Sequence, residues 1–469
     1  MFVKRFFEPL IAQNSYLIGC ASAGEAIVID PNRDLQPYLD TAEREGLTIT
    51  HVTETHIHAD FLSGARELAH RTDARLCLSD EGDQDWKYQF DHDRKLKHGD
   101  RITIGNVNLD VLHTPGHTPE HLTFLVTDGA TADRPIAAVT GDFVFVGDVG
   151  RPDLLERAAK MAGTMEQSAK TLWNSLQEFK RHPDWLQLWP GHGAGSSCGK
   201  GISAIPHSTL GYERLFNWAF TAASEAEFVT AVLTGQPEPP TYYATMKRMN
   251  KLGPPLLSAT MAPRRMKDAE LDDLVKRNVL VIDTRPAAEF ARGHVPGTLN
   301  LPLNDSFVTW AGWLVPYDAD FYVIVEEGSE ERLQELRRSL SLIGLDRVAG
   351  YFSNTAIAHA RLHGTTLGTI GQITAEQLRA ALKSRPPGDG VAVIDVRSAS
   401  EWNEGHLPSA IHIPLGHLAH RIAEVPADRE VVVHCQGGSR SAIAASLLKK
   451  MGRSKVANLA GGYDALASV

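Results

Sequence analysis

Thr55-His56-Ile57-His58-Ala59-Asp60 follows Leu47-Thr48-Ile49-Thr50-His51-Val52, a run that reads as a strand entering a loop. Two histidines and a carboxylate so close together, at a strand's end, can converge on one metal ion. A lone His-x-His says little, since most histidines are surface or satisfied core residues. Here three later segments add ligand-type side chains, each at the end of an apolar run. They are Pro115-Gly116-His117-Thr118, Thr140-Gly141-Asp142 and Pro190-Gly191-His192-Gly193. Together they predict a metal site.

Around this stretch the chain runs to 469 residues, too long for one core, and about three domains are expected. A net charge of −10 leaves no electrostatic footprint for nucleic acid or an anionic membrane. No apolar run approaches the ~18 residues that would span a bilayer. Met1 to Pro9 lacks the apolar region of a signal peptide. A cytoplasmic protein with small-molecule partners, assembled as a homo-oligomer, is the expectation. Cys20, Cys77, Cys198 and Cys435 are far apart and form no metal-type pair, so each is judged singly and disulfides are not expected. Cys20 and Cys77 sit in apolar strand patterns and read as inert core.

Short strands and helices alternate over the first 125 or so residues. Strands are expected at 15–20 and 25–30, and helices over 34–44, 61–70 and 161–179. The order of the ligand loops resembles the metallo-β-lactamase fold, an αββα sandwich, and within it the persulfide dioxygenases and glyoxalase II. Ser63-Gly64 and Gly150-Arg151-Pro152-Asp153 join the matching residues, and the resemblance spans residues 1–245. It implies His56, His117 and Asp142 as ligands of a metal with open positions. Two imidazoles and a carboxylate are the facial set of non-haem Fe(II) oxygenases, so one Fe(II) per chain is expected. The superfamily writes His-x-His-x-Asp-His, but Phe61 stands where the last histidine belongs. An apolar ring cannot ligate, and a two-zinc site is not expected. His58, Asp60 and His192 then stand behind the ligands or face substrate, with His58 as a fourth ligand the alternative. Arg151 and Asp153 are expected to shape the substrate pocket. Cys198 follows Pro190-Gly191-His192 in a Gly- and Ser-rich loop, where Lys200 would favour its thiolate. It reads either as a thiol near substrate or as an ordinary loop residue.

Prolines crowd residues 235 to 263, which read as a stiff linker with a short helix between, and 246–262 is taken as the linker proper. An internal repeat follows. Val281-Ile282-Asp283-Thr284-Arg285, with Glu289, Gly293-His294 and Pro296, returns as Val393-Ile394-Asp395-Val396-Arg397, with Glu401, Gly405-His406 and Pro408, an offset of 112. Two domains, 263–362 and 363–469, are expected, each with a small parallel sheet, which makes the chain a multidomain α/β protein. The repeated pattern resembles rhodanese domains. Asp395, Arg397, Glu401 and His406 read as a structural network. In the second copy, strand 430–434 leads into Cys435-Gln436-Gly437-Gly438-Ser439-Arg440 and then a helix. Backbone N–H groups of such a loop converge on one centre and favour a thiolate or a bound sulfur anion. Cys435 is expected as the sulfur-transfer nucleophile, Arg440 as added charge, and Gln436, Gly437, Gly438 and Ser439 as the substrate cradle. In the first copy Glu326 is expected at the cysteine's position. Carboxylates around it would repel sulfur anions, leaving that copy without chemistry, as a scaffold or docking module.

The architecture resembles a persulfide dioxygenase–rhodanese fusion. That implies oxidation of a low-molecular-weight thiol persulfide by O2 to sulfite, and sulfane transfer between persulfide or thiosulfate and sulfite or thiol. The rival is a glyoxalase II-like zinc thioester hydrolase joined to a rhodanese sulfur carrier, against which Phe61 argues.

Overall fold

A computed structural model describes residues 1–157, 163–257, 262–328, 330–384 and 390–467. The chain divides into two compact units, Met1–Ala259 with Arg338–Gly344, and Thr260–Arg337 with Leu345–Val469.

The first unit is an αββα sandwich. Its first sheet runs in sequence order through β1 (Phe2–Glu8), β2 (Gln13–Cys20), β3 (Glu25–Ile29), β4 (Thr48–Thr53), β5 (Arg75–Ser79) and β6 (Arg94–Leu96). The second contains β7 (Arg101–Ile104), β8 (Val107–His113), β9 (Leu122–Asp128), β10 (Ala137–Gly141), β11 (Gln187–Pro190) and β12 (Ser208–Thr209), again with each strand beside its neighbours in sequence. Alternation puts Ile27, Ile29, Val107, Leu109, Val111, Phe124, Val126 and Val139 between the sheets, with Cys20 and Cys77 among them. Each such side chain, fully buried, contributes roughly 1.5–3 kcal/mol. Helices Gln36–Arg44 and Ala65–Thr72 cover the first sheet, and Met165–Phe179 with Glu225–Leu233 the second. The first residues of the helix expected from Met161 lie outside the described residues.

Two boundaries differ from expectation. Residues 61–64 are loop, and the helix starts at Ala65. The Asn250 side chain holds that loop open: its Oδ1 accepts Ser63 N–H at 2.9 Å and its Nδ2 donates to the His58 and Phe61 carbonyls, each at 2.8 Å. The expected linker is therefore not free of the first unit. Tyr243–Leu252 is a helix with Met246 and Asn250 buried, and Glu67 accepts the Leu257 N–H at 2.7 Å.

The second unit holds two parallel five-stranded sheets of identical order. They are β13-β17-β16-β14-β15 and β18-β22-β21-β19-β20. The strands are β13 (Arg264–Arg265), β14 (Val281–Asp283), β15 (Leu299–Asn300), β16 (Phe321–Val325) and β17 (Val348–Ser353). The second copy has β18 (Gly371–Ile373), β19 (Ala392–Asp395), β20 (Ala410–His412), β21 (Val431–His434) and β22 (Val456–Leu459). The repeat seen in sequence is thus a repeat of topology. No helix among the described residues is long and apolar enough to cross a membrane.

Candidate metal centre and sulfur-transfer loop

Four strand ends deliver the first site. The loop after β4 brings His56 and His58, the loop after β8 brings His117, β10 ends beside Asp142, and β11 ends before His192. Gly141 makes the turn to Asp142. Its φ is +50°, and a Cβ there would stand 2.5 Å from Thr55 Oγ1 and 2.8 Å from His121 Nε2, so only glycine fits.

Donor atoms of His56, His117 and Asp142 lie within 4.8 Å of one another, all buried. Asp142 Oδ2 is 3.5 Å from His117 Nε2 and 3.9 Å from His56 Nε2, and has no hydrogen-bond partner among the described residues. A buried carboxylate oxygen left in that state is costly unless a cation completes it. The far side of each imidazole is tethered. His117 Nδ1–H donates to the Arg151 carbonyl at 3.1 Å. His56 Nδ1 meets Thr55 Oγ1 at 2.9 Å, and that hydroxyl donates to Asp30 at 2.9 Å. Such tethers turn each Nε2 lone pair toward the metal position. Burial lowers the pKa of both imidazoles, which keeps them neutral and able to ligate. The residues present fit a bound metal.

His58 is outside this group. Its Nε2 is 3.1 Å from Asp30 Oδ1, and its ring lies 4.4 Å from that of Phe61, which is fully buried. Burial opposes charge on His58, yet Asp30 raises its pKa to about 9. His192 is a clamp: Nδ1 is 2.7 Å from Asp142 Oδ1 and Nε2 is 2.7 Å from Asp60 Oδ2. Burial again opposes charge, but the two carboxylates raise its pKa well above the usual imidazole range. Asp142, although buried, is held well below the carboxylate range by His192 first, then His56 and His117.

Arg151 and Asp153 are fully buried and closed on each other, Nε to Oδ1 at 2.8 Å and Nη2 to Oδ2 at 2.7 Å. Arg151 Nη1 donates to the Ser197 carbonyl at 3.0 Å. From inside the wall, the pair fixes the carbonyl that orients His117 and the loop that carries Cys198. The Cys198 donor atom lies within 4.8 Å of those of Asp60 and His192. Lys200 does not activate it, contrary to expectation. Its ammonium sits over the Trp218 ring at 4.5 Å, while burial and then Asp60 and Asp142 push the Cys198 thiol well up. Cys198 is a neutral thiol.

Two residues that position this site were not singled out in the sequence. Asp30 receives Thr55 N–H at 2.6 Å, and His121 Nε2 accepts Asp142 N–H at 3.1 Å. Asp30 left a signal, as an acid closing the apolar strand β3. His121 left only its place four residues after His117.

In the second copy, Cys435 Sγ accepts the Gly438 N–H at 3.1 Å and is 3.5 Å from Ser441 Oγ. Gly438, with φ +104°, makes the turn that aims this N–H inward. Arg440 is bound in two places by Glu401, at 2.7 and 2.6 Å. Burial pushes the Glu401 carboxyl up, but Arg440 and Ser398 hold it down at about 2. Arg397 grips Asp395 and reaches Gln436 Oε1 at 3.1 Å, so the repeated acid–base pair braces the loop from below.

The first copy corrects one expectation. Asp283 pairs with Ile324, and Asp395 pairs with His434. The repeat offset is 112 in the first strand but 110 in this one. Val325, not Glu326, is therefore the counterpart of Cys435, and Glu326 matches Gln436. Two extra residues between β14 and β16, relative to the stretch between β19 and β21, conceal this in the sequence. An aliphatic side chain with no nucleophilic atom stands where the thiol would be.

The metallo-beta-lactamase superfamily profile matches residues 9–192, and the rhodanese-like domain profile matches 267–354 and 374–468. A metallo-beta-lactamase crystal structure from Staphylococcus aureus is 44% identical, covering 75% of this chain and 99% of its own, with a TM-score of 0.69. A hydroxyacylglutathione hydrolase of Rhodospirillum rubrum is 31% identical over 38% of this chain and 60% of its own length. A mitochondrial persulfide dioxygenase of Bos taurus is 27% identical over 48% of this chain and 78% of its own length. The chain spans 54% and 60% of the first two curated relatives that it matches.

Proposed function

Because the chain belongs to the metallo-beta-lactamase superfamily and carries two rhodanese-like domains behind that module, we propose that it is a two-centre sulfur enzyme. Its first domain oxidises a low-molecular-weight thiol persulfide to sulfite with O2 at one Fe(II). Its last domain moves sulfane sulfur through Cys435. The observation that carries this reading is the donor set: two neutral imidazoles and one unpartnered carboxylate oxygen, with His58 drawn away to Asp30 and Phe61 filling the next position. Iron held by His56, His117 and Asp142 would supply oxygen activation and a point of attachment for the persulfide sulfur.

The chain's own residues do the rest. His192 keeps Asp142 and Asp60 at fixed separation through a doubly bonded imidazolium. The Arg151–Asp153 pair fixes His117. Phe61 keeps the neighbourhood of His58 dry. In the last domain the Cys435 thiolate attacks the outer sulfur of a persulfide or of thiosulfate. The donor's S–S bond breaks, thiol or sulfite leaves, and Cys435 carries the sulfane sulfur. Sulfite then attacks that sulfur, giving thiosulfate and restoring the thiolate. The Gly438 N–H supports the sulfur anion throughout.

One observation favours a hydrolase. Asp60, His192 and Cys198 place three further donor atoms within 4.8 Å of one another, and a second metal there would displace the protons from His192 and Cys198. Metal analysis with oxygen uptake over a panel of persulfides separates the two. One iron per chain and persulfide-dependent oxygen uptake are expected, and two bound zinc ions with thioester cleavage would replace this reading with the rival one. Cys198→Ser adds a test. If the neutral thiol contacts substrate, persulfide turnover should fall by about 10-fold, the scale of one lost contact at a reacting centre, with iron content unchanged.

A further inference from the structure

The first rhodanese copy has lost its nucleophile and kept its crevice. A cavity of about 360 Å³ lies at the C-terminal ends of β14 and β16, the place where parallel α/β sheets take their ligands. The second copy completes its wall with Ser439, from the Cys435 loop, and Ile443, from the helix that follows. The copies are fastened together beside it, Asn300 N–H to Ser446 Oγ at 3.1 Å and Lys450 Nζ to the Gly297 carbonyl at 2.8 Å. From the second copy the cavity reaches Ser439, the residue after Gly438, whose N–H holds Cys435 Sγ; Cys435 to Gly438 are not among its lining residues.

Equivalent carboxylates meet different fates in the two copies. Glu401 is closed by Arg440. Its counterpart at the 112 offset, Glu289, has no such arginine, because the stretch after Val325 carries Glu326, Glu327, Glu330 and Glu331. Glu289, half-buried, and Glu326, exposed, are both among the lining residues, and neither side chain makes a hydrogen bond or ion pair among the described residues. The neighbouring arginines are engaged, Arg285 by Asp283 at 2.7 Å and Arg332 by Glu335 at 2.9 Å. Pro302, Leu303 and Ile443 supply an apolar surface. Two uncommitted carboxylates beside a short apolar wall suit a ligand with a protonated amine and an aliphatic arm, and repel a small dianion such as thiosulfate.

Resting on the sulfur-transfer reading of Cys435, we infer that this vestigial active site is the binding pocket for the carrier thiol, and that the thiol is of amino-acid type. Its ammonium is taken by Glu289 and Glu326, and its sulfur arm lies along Ser439. The inactive copy thereby selects the organic substrate for the active one.

The test uses the full chain with Glu289→Gln and Glu326→Gln together. Calorimetry with S-methylcysteine, which cannot transfer sulfur, should show one site per chain, weakened about 10-fold or more in the double variant, the scale of a lost charged hydrogen bond. The KM for cysteine as sulfur acceptor should rise by a similar factor with kcat unmoved. Transfer from thiosulfate to cyanide, and the KM for 2-mercaptoethanol, which has no ammonium, should not change. Absence of S-methylcysteine binding in the unsubstituted chain, or an unchanged KM for cysteine in the variant, overturns the inference. Binding that depends on both glutamates in a chain without any sulfur transfer upholds the pocket and overturns the Cys435 reading instead.

Discussion

Replacing His117 by alanine is expected to remove the metal and all persulfide-dependent oxygen uptake while leaving thiosulfate sulfur transfer intact. The substitution deletes one of three donors and exposes the loss in two places. Asp142 Oδ2 is left facing His56 alone, and the Arg151 carbonyl loses its imidazole N–H. Loss of a group that merely orients a ligand costs 10–100-fold in metal affinity, so loss of the ligand itself should exceed about 100-fold. Metal analysis of the purified variant and an oxygen electrode read both outcomes. Retention of one tightly bound iron would remove His117 from the ligand set. Phe61→His is the converse: it restores the superfamily's missing histidine beside Asp60 and should raise metal capacity without raising oxygen uptake.

Cys435→Ser should have the opposite pattern. An alcohol of ordinary pKa cannot accept and release sulfane sulfur, and the Gly438 N–H would then hold a neutral hydroxyl. Sulfur transfer should fall by at least about 1000-fold, the scale at which covalent nucleophiles fail when replaced. Oxygen uptake with persulfide should continue, and sulfite should accumulate once its uncatalysed reaction with persulfide is subtracted. In the first copy, Val325→Ala and Glu326→Ala should leave thiosulfate-to-cyanide transfer unchanged. Wild-type transfer in Cys435→Ser, or its loss in a folded Val325→Ala protein, would reverse the assignment of active and inactive copies.

The segments that carry the candidate donors were legible because each follows an apolar strand, and a strand's end is where the chain leaves the core for a shared loop. The choice of His56, His117 and Asp142 among them came from the family resemblance, the structure brings their donor atoms within 4.8 Å of one another, and the 112-residue echo gave both rhodanese copies. What stayed hidden depends on registers between segments far apart in the chain. Nothing near Phe61 tells that Asn250 will hold its loop out of the following helix. Two extra residues between β14 and β16 take the first copy out of the 112 offset, and only the pairing of Asp283 with Ile324 puts Val325, not Glu326, opposite Cys435. Lys200 stands two residues from Cys198, yet its stem turns the charge onto Trp218. Sequence proximity carries no information about that direction.

The bonds made by Asn250 also bear on synthesis. A ribosome that has just completed β12 has already built the three candidate donors, His56, His117 and Asp142. It has not yet released the residue that pairs Ser63 N–H and the carbonyls of His58 and Phe61. Until that helix docks, these three backbone groups are bonded to water in place of the Asn250 amide, and the loop has no protein partner to fix its path. A chain that stopped before residue 250 would therefore carry His56, His117 and Asp142 without the side chain that sets the loop following His58.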